Sequence, residues 1–532
     1  MITAAENTFD FIIVGGGSAG CVLANRLSAD PHCKVLLVEA GGADNNILYH
    51  WPAGFAKMTK GIGSWGWSTV PQKHMQNRVL WFTQAKVIGG GSTINAQIYT
   101  RGNALDFDTW AQMGCKGWSY DDVLPYFRKS EDNDSFNNAT HGKGGPIGVS
   151  KPAAPLPIAE AFIKAAGQFG IPHNPDLASA NPAGVGFYQL TQRNARRSST
   201  ATAYLSPIRT RSNLTVKLST LTTRILLEGK RTVGIAITDA TGGEIKLTAT
   251  REVIIASGSI GSPKLLLQSG IGPAEHLVQT GIEIRHHLAG VGSNLQDHVD
   301  ICVIAECTGD HTYDKYGKPL WAALAGLKYM LTRKGPVASS LFDSGGFWFV
   351  DENAAAPDMQ LHLGMGSGIE AGIAKLKNAG VTLNTAFMRP RSRGTVRLKD
   401  SNPNSHPLID PNYWADPYDR EMSLRGLKMA REIFRQSALK DYILAERMPG
   451  PTINSDTELF DYACRMAKTD HHPTSTCAMG TTDQAVVDLN LRVHGLKNLR
   501  IVDASVMPTV VSSNTNATTI MIAEKAADMI LQ

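Results

Sequence analysis

Three glycines near the N-terminus have the spacing of a dinucleotide-binding turn. They read Gly15-x-Gly17-x-x-Gly20 after an apolar run, and Glu39 follows Gly15 by 24 residues (39 − 15). In such a turn the first glycine makes the bend, the second lets the backbone approach a pyrophosphate, and the third lets helix and strand pack closely. A carboxylate about 20 residues further on binds a ribose hydroxyl. We therefore predict a dinucleotide site that includes Gly15, Gly17, Ser18, Ala19, Gly20, Glu39 and Ala40.

Histidine chemistry is harder to place, because the sequence has fifteen histidines. The pair His471 and His472 stands out because it lies between Asp470 and Pro473, at a turn near the C-terminus. A neutral imidazole, with an unperturbed pKa of about 6.5, is the natural general base at neutral pH. An isolated histidine is more often a surface or hydrogen-bonded core residue. The residue pattern alone therefore leaves the role of this pair open.

The elements that must position these residues begin with a βαβ unit. The sequence predicts a strand over 9–14, a helix over 18–29 and a strand over 34–38, and the N–H groups at the helix start would hold phosphates. Further strands are predicted over 214–218, 223–228, 232–238, 245–249 and 252–256. A second domain that covers the site is predicted from about 300 to 460, with strands over 346–350 and 359–363 and a helix over 420–436. The last helix is predicted over Thr518 to Leu531.

Composition excludes several classes of protein. A chain of 532 residues is long enough for two or more compact units, since single cores stop growing near about 250–300 residues. The net charge of +5 comes from 52 basic and 47 acidic side chains that are well mixed along the chain, so no nucleic-acid partner is predicted. The sequence also predicts no metal site.

Cysteine usage and hydropathy favour a cytoplasmic protein. Seven cysteines form an odd set without a C-x-x-C pair, which is typical of a reducing compartment. The first residues lack a secretory signal, and no apolar run reaches the ~18 residues of a membrane span. The apolar segment Leu320 to Leu331 could be a membrane-surface or quinone-docking helix, but we expect a core or lid helix because it lacks a strongly basic face. Peripheral contact with the inner membrane stays open.

Two further segments carry a resemblance to a known family. Residues 85–108 (AKVIGGGSTINAQIYTRGNALDFD) and 258–272 (GSIGSPKLLLQSGIG) resemble, position by position, the two signature patterns of the glucose–methanol–choline (GMC) flavoprotein oxidoreductases. The blocks at 290–298 and 499–504 are similar to other family blocks, so the resemblance runs from about residue 9 to residue 531.

This resemblance implies a mixed α/β fold. A Rossmann-like FAD-binding domain would be joined to a discontinuous substrate-binding domain built on an antiparallel sheet with helices. The implied boundaries are 1–155, 213–300 and 465–532 for the FAD-binding domain, and 156–212 and 301–464 for the substrate-binding domain.

FAD is the implied cofactor. Some family members tether FAD through a histidine, and Ile94 stands at that position here, so we expect non-covalent FAD. Beyond the first turn, the implied cofactor contacts are Gly89, Gly91, Ser92, Asn95, Ala96, Asp503, Ala504, Asn516 and Thr518. Asp503 could instead serve as a cap for a helix or loop, and Asn516 and Thr518 could instead serve as helix caps.

The resemblance also selects catalytic residues. His472, before Pro473, aligns with the family's base, and Asn514 aligns with its second polar residue 42 residues later (514 − 472). The base would take the hydroxyl proton while a hydride passes to flavin N5. His471 would be a wall of the substrate pocket.

Within the family the chain is most similar to the L-sorbose dehydrogenase branch. The shared segments are 54–61, 71–78, 314–330, 335–340 and 389–398. This implies oxidation of a primary alcohol of a sugar or polyol, with electrons passing to a quinone or similar acceptor. Polyethylene glycol dehydrogenases, choline dehydrogenases and oxygen-using aryl or furanic alcohol oxidases are competing interpretations. A lyase on the same scaffold and a non-catalytic FAD-binding protein are more distant ones.

Overall fold

The computed structural model describes residues 7–58, 61–238, 243–368 and 376–532. Its N-terminal part is the predicted βαβ unit: strand β1 (Thr8–Val14), helix α1 (Ser18–Leu27) and strand β2 (Val35–Val38). Both strands are almost wholly buried, because in a parallel sheet helices or other elements cover both faces.

This unit belongs to a seven-stranded sheet, which adds β3 (Leu214–Lys217), β4 (Thr222–Glu228), β5 (Arg231–Thr238), β6 (Glu244–Ile255) and β13 (Leu499–Ile501). The strand order is β3-β2-β1-β6-β5-β4, and β13 also pairs with β6. The pairings of β1 with β2 and β6 are parallel, as are those of β2 with β3 and of β6 with β13, whereas β4, β5 and β6 pair antiparallel. The carboxyl ends of the parallel strands therefore meet at one edge, where ligands bind in such sheets.

Strand β6 corrects one prediction. The sequence predicts two strands, over 245–249 and 252–256, but the structure has one strand of 12 residues. The first half of β6 pairs with β5 and the second half with β13. Strand β1 pairs with both halves, and its register with β6 shifts between Phe9 and Phe11. A bulge of this kind leaves a residue unpaired and disrupts the ladder locally, so the apolar alternation is interrupted although the strand continues.

The strands of the second sheet are β7 (Val299–Cys307), β8 (Ser344–Trp348), β9 (Met359–Gly364), β10 (Gly380–Phe387), β11 (Ile443–Met448) and β12 (Lys468–Thr469). They pair antiparallel in the order β8-β9-β10-β7-β11, and β12 also pairs with β7. The mixed α/β architecture with a parallel-strand sheet and an antiparallel sheet is confirmed.

The two central strands of this sheet, β7 and β10, are absent from the prediction. Every residue of both strands is buried, so neither shows the alternation of buried and exposed residues that marks a strand. Buried polar residues such as Asp300, Glu306 and Asn384 also interrupt their apolar runs. β7 begins at Val299 and β12 belongs to this sheet, so both lie close to predicted domain boundaries, and the division into domains stays a prediction.

Twelve α-helices occur in the described ranges. They are α1, α2 (Phe55–Met58), α3 (Gly91–Ile94), α4 (Ala104–Gln112), α5 (Tyr120–Ser130), α6 (Pro157–Phe169), α7 (Gly258–Gln268), α8 (Ala274–Gln279), α9 (Pro319–Thr332), α10 (Pro417–Phe434), α11 (Asp456–Met466) and α12 (Asn516–Leu531). Short strand pairs complete the fold: 98–99 with 189–190, 131–133 with 147–149, 192–193 with 196–197, 271–272 with 286–287, and 395–397 with 408–410. None of these helices has the length and apolar character that a membrane crossing requires.

Of the two environments expected for helix α9, core or lid, the structure excludes the core, and the lid stays a prediction. The helix occupies the predicted segment, but only Ala325, Gly326 and Tyr329 are buried. The large apolar side chains on its other side are exposed, so hydropathy predicted the helix correctly but not that this side lies outside the core.

Candidate active site

One continuous cavity runs from the glycine turn after β1 to the C-terminal histidine pair. Of the predicted site residues, the following line it: Gly15, Gly17, Ser18, Ala19, Glu39, Ala40, Gly91, Asn95, Ala96, His472, Asp503, Ala504, Asn514 and Asn516. His471 also lines it. The fold thus brings both ends of the sequence to one site at the carboxyl edge of the parallel strands.

Gly20, Gly89, Ser92 and Thr518 do not line this cavity. The Thr518 hydroxyl donates to the carbonyl of Arg101 at 3.2 Å, and the Ser92 hydroxyl donates to the carbonyl of Gly89 at 2.6 Å. These side chains support the loops around the cavity, and direct contact with FAD stays a prediction for all four residues.

The glycine turn has the geometry that its spacing predicts. Gly15 adopts a positive φ of 105°, which favours glycine. A Cβ at Gly20 would lie 1.9 Å from the carbonyl oxygen of Gly15, so only glycine lets α1 pack against the turn. At Gly17 a Cβ would meet nothing closer than 3.9 Å. This leaves room for a ligand over the first turn of α1, whose N-terminus carries no side-chain cap from Gly17.

Glu39 is held firmly at the end of β2. Its carboxylate oxygens accept hydrogen bonds from the backbone N–H of Gly16 at 2.7 Å and of Gly41 at 2.6 Å. Burial raises the pKa of Glu39, and the two N–H donors act against that rise. The carboxylate is thus preorganised at the position that a ribose hydroxyl would reach.

Four buried polar atoms along the cavity have no hydrogen-bond partner within the described ranges. They are Thr83 Oγ1, Thr222 Oγ1, Ser259 Oγ and Gln268 Nε2. Buried polar groups are normally paired in folded proteins. A polar, dinucleotide-sized ligand such as FAD would supply the missing donors and acceptors, so the residues present fit this cofactor.

Asp503 both caps and lines the site. Its carboxylate accepts from the N–H of Ser505 at 2.8 Å, from the N–H of Gly258 at 2.9 Å and from the hydroxyl of Ser262 at 2.5 Å. Asp503 therefore caps the short helical turn Ala504–Val506, and its contact with FAD stays a prediction. Asn516 opens α12 and accepts a hydrogen bond from the Ser18 hydroxyl at 2.7 Å, which ties the two helix N-termini together.

At the other end of the cavity, His472 sits in a chain of hydrogen bonds. Its Nδ1 lies 3.0 Å from Nδ1 of His298, and its Nε2 lies 3.0 Å from Nδ2 of Asn514. Nε2 of His298 lies 3.1 Å from the carbonyl oxygen of Met388. A carbonyl can only accept, so His298 carries its proton on Nε2 and offers a lone pair at Nδ1.

That assignment fixes the tautomer of His472. Its Nδ1–H donates to His298, and its Nε2 carries the lone pair. Burial, together with the neighbouring histidines and Lys468, holds the pKa of His472 well below 6.5. Burial lowers the pKa of His298 to about 3. Both imidazoles are therefore neutral at pH 7, and Nε2 of His472 is ready to accept a proton.

A second anchor fixes the amide of Asn514. The hydroxyl of Tyr188 donates to the carbonyl of Leu361 at 2.7 Å, so its oxygen accepts from Nε2 of Gln360 at 3.3 Å. The same Gln360 nitrogen donates to Oδ1 of Asn514 at 3.0 Å. The Thr100 hydroxyl also donates to Oδ1, at 3.1 Å. Nδ2 of Asn514 is therefore turned towards His472 as a donor.

Sequence reasoning missed the residues that hold this pair. His298 and Asp297 lie in the block 290–298, which the resemblance includes without assigning roles. Asp297 accepts from the backbone N–H of His472 at 2.8 Å. Asp297 and His298 directly precede the buried strand β7, and polar residues in that position indicate a possible site. In contrast, nothing in the sequence around Gln360 or Thr100 points to Asn514.

The same region offers ligand atoms for a metal. His298, Asp470 and His472 bring three such atoms within 4.8 Å of one another. The hydrogen bond between the two histidines already uses the Nδ1 atoms of both. A metal ion bound through these atoms would have to replace that hydrogen bond. That the protein binds no metal stays a prediction.

Matches to known proteins agree with this geometry. The chain matches the family models described as GMC oxidoreductase over residues 9–300 and 390–523, and it belongs to that family. It is 39% identical over 528 residues to an alcohol dehydrogenase [acceptor] of Pseudomonas putida, covering 98% of this chain and 96% of that protein. It is 42% identical over 535 residues to an oxygen-dependent choline dehydrogenase of Paraburkholderia phytofirmans, covering 99% and 95%.

Among solved structures, the fold superposes on a variant of Aspergillus oryzae formate oxidase that was solved to study modification of FAD. The TM-score is 0.93 at 27% identity, with 98% of each chain covered. Family, relatives and cavity together identify the protein as an FAD-dependent, alcohol-oxidising enzyme. Ile94 lines the cavity, and its aliphatic side chain has no nucleophile that could tether the cofactor.

Proposed function

We propose that this protein is a dehydrogenase of neutral primary alcohols, with His472 as the base and an acceptor other than oxygen. The observation that carries the proposal is the fixed tautomer of His472, whose unprotonated Nε2 lines the cavity beside the amide of Asn514. Bound FAD supplies the acceptor for the hydride that leaves the alcohol carbon.

The hydroxyl proton passes to Nε2 of His472 as the carbon is oxidised to the carbonyl. Nδ2 of Asn514 lies 3.0 Å from Nε2 of His472, so the alcohol must exchange this hydrogen bond: its hydroxyl donates to Nε2, and its oxygen accepts the N–H of Asn514, which orients the alcohol. Asp470 then stabilises the imidazolium, because one of its carboxylate oxygens lies 3.3 Å from Nδ1 of His472. Burial of His472, which is 7% exposed, keeps water away from the proton transfer.

The charge of the pocket favours a neutral substrate. Lys468 lines the cavity and donates to Asp300, a buried carboxylate that also lines it. A quaternary ammonium is held by aromatic faces and a carboxylate. Two carboxylates line the cavity near the base, but Asp300 is paired with Lys468 and Asp470 lies 3.3 Å from Nδ1 of His472. Both carboxylates therefore already have partners, and the charge of Lys468 would repel a quaternary ammonium.

Choline is the second candidate, since choline dehydrogenases are among the close relatives. Phe55 and Phe342 both line the cavity and could contact a trimethylammonium group. Oxidation of a sugar or polyol, with L-sorbose as the named case, rests on the segment resemblance alone. The alcohol dehydrogenase and choline dehydrogenases among the relatives favour a simple alcohol or choline over a sugar as substrate.

The test is to measure reduction of the bound flavin without oxygen. The loss of the flavin's visible absorbance reports the reduction. The purified holoenzyme is mixed in turn with 1-butanol, polyethylene glycol, benzyl alcohol, L-sorbose and choline. Rapid bleaching with neutral alcohols but not with choline supports the proposal. Bleaching with choline alone would overturn it, and a Lys468→Met variant that gains choline turnover would confirm the role assigned to that charge.

The acceptor is tested separately, by reoxidation. Stopped-flow mixing of the reduced enzyme with oxygen or with a water-soluble quinone compares the two acceptors. Faster reoxidation by the quinone supports a dehydrogenase. Peroxide formed at the rate of turnover would show an oxidase instead.

A further inference from the structure

Helix α9 carries the largest concentration of exposed apolar side chains in the described part of the chain. Of the fifteen large hydrophobic residues that are exposed there, six belong to this one helix. They are Leu320 (68% exposed), Trp321 (45%), Leu324 (49%), Leu327 (50%), Met330 (53%) and Leu331 (77%). The spacing of Leu320, Leu324, Leu327 and Leu331 places them on one stripe of the helix.

The opposite side of α9 is firmly attached to the protein. The ring of Tyr329 is fully buried and packs edge-on against Trp51, with centroids 5.5 Å apart. Its hydroxyl donates to the carbonyl of Ala195 at 2.7 Å. A Cβ at Gly326 would lie 3.2 Å from the Trp51 ring, so helix and ring are in close contact. The outward direction of the apolar stripe is therefore set by the fold.

Basic residues lie within the stripe segment and at both of its ends, and the nearest acidic residues that precede them are Asp310 and Asp314. Between residues 315 and 336 the sequence contains five basic residues and no acidic one: Lys315, Lys318, Lys328, Arg333 and Lys334. Lys315 pairs with Asp310 at 2.6 Å. The other four are exposed. A patch that combines an apolar stripe, a tryptophan and flanking cations matches an anionic lipid surface better than a protein core.

We infer that α9 is a docking element that inserts its apolar stripe into the headgroup region of an anionic membrane. A helix of 14 residues lies in the plane of the interface, with its apolar face among the acyl chains. Lys328 in the helix, and Lys318, Arg333 and Lys334 beside its ends, would lie at the headgroups. Charge complementarity favours an anionic membrane over a second copy of this chain as the partner of the apolar stripe. A second copy of this chain would bring the same four cations face to face.

The position of α9 gives this docking a function. Trp51, which contacts the helix, precedes Phe55 by four residues, and Phe55 lines the cavity. Phe342, ten residues beyond the end of α9, also lines it and packs edge-on against Phe55 with centroids 5.9 Å apart. Docking would bring this side of the cavity towards the bilayer, where apolar quinones reside. This last step rests on the proposed dehydrogenase function.

Vesicle binding tests the inference without any turnover. The holoenzyme is sedimented with vesicles of phosphatidylcholine alone or with about 30% phosphatidylglycerol, which makes the surface anionic. We expect binding to the anionic vesicles that weakens as salt is raised, with a blue shift in tryptophan emission. A protein that stays in the supernatant with both kinds of vesicle would overturn the inference.

Matched variants localise the effect. Leu324→Glu with Leu331→Glu should weaken vesicle binding by about tenfold or more, as should Lys328→Glu with Lys334→Glu. Val278→Glu changes an equally exposed apolar residue on α8 (66% exposed) and should leave binding unchanged. If all these variants bind alike, the stripe is not the docking element.

Two further measurements separate the competing explanations. Light scattering that shows a dimer in the native protein and a monomer in the Leu324→Glu variant, without vesicle binding by either, would assign the stripe to a second copy and overturn the inference. Flavin reduction by an alcohol in solution should be equal in the native protein and the α9 variants. A failure of the proposed function would appear in that assay, whereas a failure of docking would appear only with vesicles.

Discussion

Nδ1 of His298 lies 3.0 Å from Nδ1 of His472, and this contact decides which nitrogen of His472 faces the cavity as a base. The rings meet nearly at right angles, with an interplanar angle of 80° and centroids 5.2 Å apart. Because Met388 accepts from the far nitrogen of His298, the near nitrogen must accept from His472. Two backbone carbonyls, of Met388 and Leu361, thus set the donors and acceptors of the His472–Asn514 pair from either side.

Replacing His472 by alanine should slow flavin reduction by about 10²–10⁴-fold, the usual contribution of a positioned general base. FAD should remain bound, because the glycine turn and Glu39, which would hold its pyrophosphate and ribose, are unchanged in this variant. Stopped-flow absorbance measures the rate, and the visible spectrum reports the flavin content. A rate near that of the native enzyme, with FAD at full occupancy, would show that another group is the base.

The role of His298 can be separated from simple packing by two variants. His298→Leu removes the acceptor for the Nδ1–H of His472, and we expect flavin reduction about 10–100-fold slower because the other tautomer becomes accessible. His298→Gln keeps a carbonyl acceptor and should recover most of the rate. Thermal melting of both variants controls for folding. Equal losses in the two variants, with altered pH profiles in neither, would mean that His298 has a packing role only.

The pH profile of flavin reduction should stay flat from pH 8 to below pH 6.5. The base acts in its neutral form, and burial keeps the pKa of His472 well below 6.5, so acid inactivates it only at lower pH. Lys468→Met removes a positive charge that lowers this pKa, and the acidic limb should then move to higher pH. A limb at or above pH 6.5 in the native enzyme would contradict the assigned environment.

Gly20→Ala tests whether this glycine serves packing or cofactor contact. The added Cβ would lie 1.9 Å from the carbonyl oxygen of Gly15, so the variant should melt at a markedly lower temperature and lose FAD. Gly167→Ala on α6 is the matched control, because its Cβ would meet nothing within 4 Å. We expect the control to be neutral or to gain up to about 1 kcal/mol from helix propensity. Equal stability and flavin content in the two variants would disprove the close-packing role of Gly20.

The sequence alone predicted the dinucleotide turn, because everything that forms it is local. Gly15, Gly17 and Gly20 lie within one turn and one helix start, and Glu39 ends the next strand, so spacing suffices to place them. The family resemblance then selected His472 and Asn514, and the structure brings both to the same cavity. Their catalytic roles stay predictions.

Tertiary structure alone decided how that pair is held and what α9 faces. His298 and His472 are 174 residues apart in sequence, and Gln360 and Asn514 are 154 apart. No local pattern reports such contacts. β7 and β10 escaped prediction because burial on both faces removes the periodicity of a strand. The apolar content of α9 is typical of a core helix, because hydropathy shows which residues are apolar but not which side of the molecule they face.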